Sequence, residues 1–167
     1  MQAVFEELRG VTRVVAGYSG GDAASAHYEM VSTGLTGHAE SVEITYDPSQ
    51  ISFSQILAVY FLVAHDPTQI NRQGPDEGRQ YRSEIFYTTS DQRRIAAAAI
   101  ASLDRRHVFF ARIATSVEPL HAFYPAEAYH QDFVAHNPDN PYVVVNDLPK
   151  LRALRERFPN LLKAGVH

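Results

Sequence analysis

From His38 to Asp47 the chain alternates with a period of two. Val42, Ile44 and Tyr46 fall on one side, and Ser41, Glu43, Thr45 and Asp47 on the other. Such a segment folds stably only as a strand with one face covered, so the rest of the chain must supply a second layer. That layer follows at once: Ser52 and Gln55 stand in capping-box spacing ahead of Ile56, Leu57, Tyr60, Phe61 and Ala64. The helix they predict stops at His65-Asp66-Pro67.

Around this pair the pattern predicts a helix over 1–8, with Met1, Val4, Phe5 and Leu8 on one stripe and Gly10 as its stop. A strand over 11–16 leads into a glycine turn at Gly17, Gly20 and Gly21. Further elements are a strand over 84–88, a helix capped by Ser90 and running to about Arg106, and an alternating strand of Ala111, Ile113, Thr115 and Val117. A short helix is expected over about 126–135 and a last one after a cap at Asp147. Strands interleaved with helices in 167 residues predict a single α+β two-layer domain over 1–167. Its end, 147–167, reads as a C-terminal helical extension in which Leu151 and Leu154, flanked by Arg152, Arg155 and Arg157, cover the sheet.

Composition removes several functions. A net charge of −4 leaves no general basic footprint, so nucleic acid is not an expected partner. The longest apolar run, Ile56 to Ala64, falls far short of the roughly 20 residues of a membrane span. Met1 to Glu7 lacks the basic segment and apolar stretch of a secretory signal, which predicts a cytoplasmic location. With 0 Cys, disulfides, thiolate metal sites and thiol nucleophiles are excluded within this sequence. The 8 His show no metal-ligand spacing, so no metal is expected.

Glu40 is the most informative polar residue. It shares parity with Val42, Ile44 and Tyr46, which predicts an inward carboxyl that finds partners or keeps its proton through a raised pKa. A frayed strand end meeting solvent is the other reading, and the pattern does not choose between them. The stretch from Asp66 to Arg82 has no regular period, and its 17 residues exceed the roughly 12–15 beyond which a loop is usually functional or disordered. Its Gln73, Asp76, Gln80, Tyr81 and Arg82 can hydrogen-bond one another and the loop backbone, which predicts an ordered polar loop, with a solvated connection as the other reading. Tyr28 and Tyr81 also lie in non-periodic segments, and two phenols converging with a carboxyl would hold one polar oxygen.

Three other motifs carry little. Gly17-Tyr18-Ser19-Gly20-Gly21 matches the nucleophile elbow, but no apolar helical stripe follows it, so a glycine turn is the expected reading. His38-Ala39-Glu40 echoes zinc deaminases, whose P-C-x-x-C partner cannot exist here. His65 reads as a helix C-terminal residue bound to local carbonyls.

Several motifs in order resemble the peptide methionine sulfoxide reductase A family. They are Gly17-Tyr18-Ser19-Gly20-Gly21, Tyr28-Glu29-Met30-Val31, Thr36-Gly37-His38-Ala39-Glu40 and His65-Asp66-Pro67-Thr68. Arg72-Gln73-Gly74-Pro75-Asp76-Glu77-Gly78, Gln80-Tyr81-Arg82-Ser83 and Ala126-Glu127-Ala128-Tyr129-His130-Gln131 continue the series, and the similarity runs from Met1 to about Tyr142. The resemblance implies a ferredoxin-like α/β plait and reduction of the S epimer of methionine sulfoxide, free or in proteins, as repair of oxidative damage. In that chemistry a cysteine thiolate attacks the sulfoxide sulfur, the oxygen is protonated and leaves as water, and the cysteine becomes a sulfenic acid. No bound cofactor is implied; thioredoxin serves as external reductant and partner.

By matching position, the resemblance makes Glu40 the proton donor, Tyr28 and Tyr81 the hydrogen-bond donors to the sulfoxide oxygen, and Asp76 part of the polar wall. It also exposes a departure. The family enters its first helix through Gly-Cys-Phe-Trp-Gly, and this sequence starts where that motif ends, with no resolving cysteine further on. As written the chain is expected to be inactive. Either Met1 is an internal methionine of a working reductase, or the chain is a cysteine-less pseudoenzyme that binds methionine sulfoxide or acts as an interaction module.

Overall fold

The capped and alternating segments settle in a computed structural model that describes residues 1–166. In chain order they are α1 (Gln2–Glu6), β1 (Val11–Ser19), α2 (Tyr28–Val31), β2 (Ala39–Tyr46), α3 (Phe53–Val59), β3 (Arg72–Gln73), β4 (Asp76–Glu77) and β5 (Glu84–Tyr87). Then come α4 (Ser90–Arg105), β6 (Ser116–Pro119), β7 (Phe123–Pro125), α5 (Phe133–His136) and α6 (Leu148–Arg157). One sheet has the order β2-β1-β7; β3 and β4 form an antiparallel hairpin, and β5 and β6 a parallel pair. A parallel pair needs a crossover, which α4 supplies while packing on both strands.

The chain divides into two compact units. One holds Met1–Ala16, Val42–His65 and the chain from Ala126 on; the other holds Gly17–Ser41 and Asp66–Pro125.

The first unit carries an apolar core of Val4, Phe5, Leu8, Val11, Val14, Ile51, Ile56, Val59, Val63, Ala64 and Leu154. Val42, Ile44 and Tyr46 pack against it, as the alternation of β2 predicts. The capping box of α3 forms as expected: Ser52 Oγ accepts from the Gln55 amide at 3.2 Å, and Gln55 Oε1 from the Ser52 amide at 2.8 Å. The helix widens into a π turn over Tyr60–Ala64 and ends at His65, whose Nδ1 lies 2.9 Å from the Tyr60 carbonyl. Helix α6 packs on α1 and on this π turn, and its Leu154 joins the core that holds Val11 and Val14 of β1. Arg157 Nη1 donates to the Leu62 carbonyl at 2.9 Å, and Arg155 Nε to Glu7 at 3.1 Å. Of the predicted extension, Leu148–Arg157 and the 3-10 turn Pro159–Leu161 are helical, and His167 lies outside the described residues.

Several expected boundaries move. Helix α1 stops at Glu6, and Leu8 instead bridges to Leu162 ahead of Gly10 at φ +84°. Strand β1 continues through Ser19 because Gly17, Tyr18 and Ser19 register with Pro125, Tyr124 and Phe123. A Cβ on Gly17 would stand 2.4 Å from the Phe123 ring, so close pairing and not a turn explains this glycine. The turn starts at Gly20, φ +96°. Thr89, not Ser90, caps α4, its Oγ1 accepting from the Gln92 amide at 3.1 Å. The strand expected over 111–117 shortens to Ser116–Pro119, since the Ala114 amide donates to the Pro67 carbonyl and the Ile113 amide to Asp104. The helix over 126–135 breaks into a 3-10 turn, Ala128–His130, and α5. Asp147 is itself helical and makes no side-chain cap bond. Among the described residues no helix is long and apolar enough to cross a membrane.

Candidate active site

The four residues singled out by sequence all belong to the second unit, on four different segments. Tyr28 opens α2, Glu40 is the second residue of β2, Asp76 sits on β4, and Tyr81 ends the 3-10 turn Arg79–Tyr81.

Polar side chains hold the stretch from Asp66 to Arg82 in shape, as its composition predicts. Gln73 Oε1 accepts from the Asp66 amide at 3.0 Å, Gln69 Oε1 from the Gly74 amide at 2.8 Å, and Arg72 Nε donates to the Gly74 carbonyl at 2.8 Å. With Gln73 opposite Asp76, the hairpin turns tightly through Gly74 and Pro75 and presents Asp76 at its far side.

Two residues of this stretch reach further than sequence reasoning foresaw. Gln80 is buried at 4% exposure, and its Nε2 donates to the Ser32 carbonyl at 3.2 Å, tying the Tyr81 segment to the end of α2. Its Oε1 lies within 2.9 and 2.2 Å of where Cβ atoms on Gly34 and Gly78 would stand, and the positive φ of both residues, +72° and +140°, favours glycine there. Arg82 donates to the carbonyls of Gly37, His38 and Arg79 at 3.0, 3.1 and 3.1 Å and pairs with Glu84 at 2.6 Å. The available signal was the glycine at Gly20, where a Cβ would come within 2.9 Å of Arg82 Nη2.

His38 is fully buried, with Nε2 2.9 Å from the Asp22 carbonyl and its ring edge-on to Tyr124 at 5.6 Å. It is spent on packing the glycine turn, so the His38-Ala39-Glu40 echo is structural. Ser19 is 1% exposed and pairs with Phe123 at the end of β1, which removes the nucleophile elbow.

Glu40 corrects the parity expectation. At the start of β2 the buried position is Ala39, at 1% exposure, so Glu40 takes an open side. The residue as a whole is exposed, yet protein crowds its carboxyl and strips part of its hydration. That crowding, followed by the negative charge of Asp76, raises its pKa from 4.5 to about 7. Tyr81 is pushed from 10.0 up to about 12, by burial first and then by Glu40, Asp76 and Tyr28. Two carboxyls and two phenols therefore lie within electrostatic reach of one another. An acid about half protonated near neutrality beside phenol hydroxyls can protonate and hold a polar oxygen.

The family described as peptide methionine sulfoxide reductase matches residues 1–161. A relative from Synechocystis, peptide methionine sulfoxide reductase MsrA 2, is 56% identical over 98% of this chain and 77% of its own length. The MsrA 2 of Mesorhizobium japonicum is 54% identical over 96% of this chain and 83% of its own. Among solved structures, Mxr1 from Saccharomyces cerevisiae in reduced form superposes with a TM-score of 0.72 at 32% identity, covering 78% of this chain and 74% of that one. Methionine sulfoxide reductase A of Corynebacterium diphtheriae gives 0.70 at 34% identity, covering 82% and 69%. The mixed helix-and-sheet fold is shared with both.

Proposed function

The chain belongs to the peptide methionine sulfoxide reductase family, and on that premise we propose that Glu40 is the acid that protonates the sulfoxide oxygen of methionine S-sulfoxide. Reduction of methionine sulfoxide to methionine is the family's reaction. Tyr28 and Tyr81 hydrogen-bond the oxygen, and Asp76 forms the polar wall that keeps Glu40 from ionising early. The raised pKa of Glu40, at about 7, carries this reading. A sulfoxide oxygen is a poor leaving group until protonated, and a general acid works best with a pKa near the ambient pH. Tyr81, raised to about 12, stays a neutral donor throughout.

In net terms a thiol and the sulfoxide become a sulfenic acid and the thioether, and a dithiol such as thioredoxin then returns the sulfenic acid to thiol with release of water. This sequence contains no cysteine to carry the sulfenic acid. The 167 residues given therefore bind methionine S-sulfoxide without turning it over. A ferredoxin-like plait is the finer fold assignment that goes with this reading.

The test has two arms. N-acetyl-methionine S-sulfoxide amide is titrated into the chain and into Glu40→Gln, and turnover with dithiothreitol is measured before and after joining Gly-Cys-Phe-Trp-Gly ahead of Met1. Expected are saturable binding of the S epimer over the R epimer, and turnover only in the extended chain, lost in extended Glu40→Gln. No stereoselective binding, or full turnover with Glu40→Gln, overturns the proposal.

A further inference from the structure

Glu40 and Tyr81 come from segments far apart in the chain, and hydrogen bonds from Arg82 reach the backbone just before each of them. We infer that Arg82 is the positioning residue that sets the separation of Glu40 and Tyr81; the inference deepens the proposed function and rests on it for the roles of those two residues.

The geometry is a bridge. Arg82 Nη2 donates to the Gly37 carbonyl at 3.0 Å and Nη1 to the His38 carbonyl at 3.1 Å, two residues before Glu40. Nη1 also donates to the Arg79 carbonyl at 3.1 Å, two residues before Tyr81. One planar guanidinium thus joins the backbone leading to the acid with the backbone leading to the phenol. Its outer side is anchored by Glu84, at 2.6 Å, whose other oxygen accepts from Ser116 Oγ at 3.1 Å. Glu84 lies on β5 and Ser116 opposite it on β6, so the bridge is moored to a paired sheet.

Room for the guanidinium comes from the glycine turn. A Cβ on Gly20 would stand 2.9 Å from Nη2 and 3.0 Å from the Gly37 carbonyl oxygen. Gly20, read from sequence as a turn residue, is the wall of an arginine slot, and a Cβ on Gly37 would press on the Gly20 carbonyl oxygen at 2.9 Å.

Arg82 acts through shape and not through charge. Its positive charge is met by Glu84, and the groups that set the ionisation of Glu40 are its protein surroundings and Asp76. A flat fork with five N–H groups can serve three carbonyls and a carboxylate together, which an ammonium on a flexible stem cannot. Lysine therefore keeps the charge and loses the bridge.

The experiment uses the 167-residue chain and reads the site without turnover. Glu40 is followed by carboxyl carbon NMR titration, and N-acetyl-methionine S-sulfoxide amide by binding, in Arg82→Lys and in the double variant Arg82→Gln/Glu84→Gln. The double variant orphans no buried charge and remains foldable if the single one is not. With Arg82 gone the Glu40 midpoint falls by about one pH unit or more toward its ordinary value, and sulfoxide binding weakens by about tenfold or more. A purely structural role would lower the melting temperature while leaving the midpoint of the folded protein in place. Folded Arg82→Lys or double variant titrating like the parent overturns the inference. Absence of sulfoxide binding in the parent, with the midpoint still falling in the variants, refutes the functional reading and leaves Arg82 as the positioning residue.

Discussion

Asp76→Asn separates the two causes that raise the pKa of Glu40. At about 7, Glu40 is half protonated at neutral pH. At 4.5 only about 0.3% would be, so the surroundings enrich the acid form more than ~100-fold. Crowding by protein is the larger cause and the Asp76 charge the smaller. Removing the charge therefore removes less than half of the rise, and the midpoint stays above about 5.8. The sign for stability follows from linkage. The folded state holds a proton that the unfolded chain has released, so the contribution of Glu40 is complete below pH 4.5 and is lost as pH rises through about 7. Asp76→Asn softens that loss, and Glu40→Gln abolishes it. Carboxyl carbon NMR from about pH 3 to 9 gives the midpoints, and urea unfolding on both sides of neutrality gives the stability trend. A parent midpoint close to 4.5, or an Asp76→Asn midpoint no lower than the parent's, refutes the reasoning.

Leu154 is fully buried in the core of the first unit, so Leu154→Ala leaves a cavity there. It costs about 2–5 kcal/mol by urea unfolding, while the Glu40 midpoint of the folded protein stays put. Gly78 sits at φ +140°, and a Cβ there would collide with Gln80 Oε1. Gly78→Ala costs about 1–3 kcal/mol in backbone strain, read as a lower melting temperature, and displaces Gln80 enough to weaken binding of the S-sulfoxide.

Elements of the fold were legible where one local rule sufficed. The capping box of Ser52 and Gln55 is a reciprocal pair of bonds within four residues, and it forms as its spacing requires. Strand β2 announces its core-facing side through Val42, Ile44 and Tyr46 because an alternating face needs only a covering layer. Strand β7 was invisible, since Phe123–Pro125 is too short for any period and exists through its pairing with Gly17–Ser19. The same pairing turned a predicted glycine turn into the end of β1. Thr89 displaced Ser90 as cap by a single residue, a distinction that hydroxyl chemistry alone does not make.

The candidate site divides along a similar line. Glu40 drew attention through parity with an apolar face, and the parity argument fails at the strand start, where Ala39 takes the buried side. What makes Glu40 an acid is assembled from other segments: protein around its carboxyl and the charge of Asp76, 36 positions along the chain. No window of sequence contains both. The glycines at 20, 34, 37 and 78 were the readable trace of that assembly, for a missing Cβ marks a place where something else must come close. Gly20 leaves room beside Arg82, Gly37 beside the Gly20 backbone, and Gly34 and Gly78 beside Gln80. The shape of the site is thus written largely in glycines that make room for other groups, and their substitution should damage the ionisation of Glu40 before it unfolds the chain.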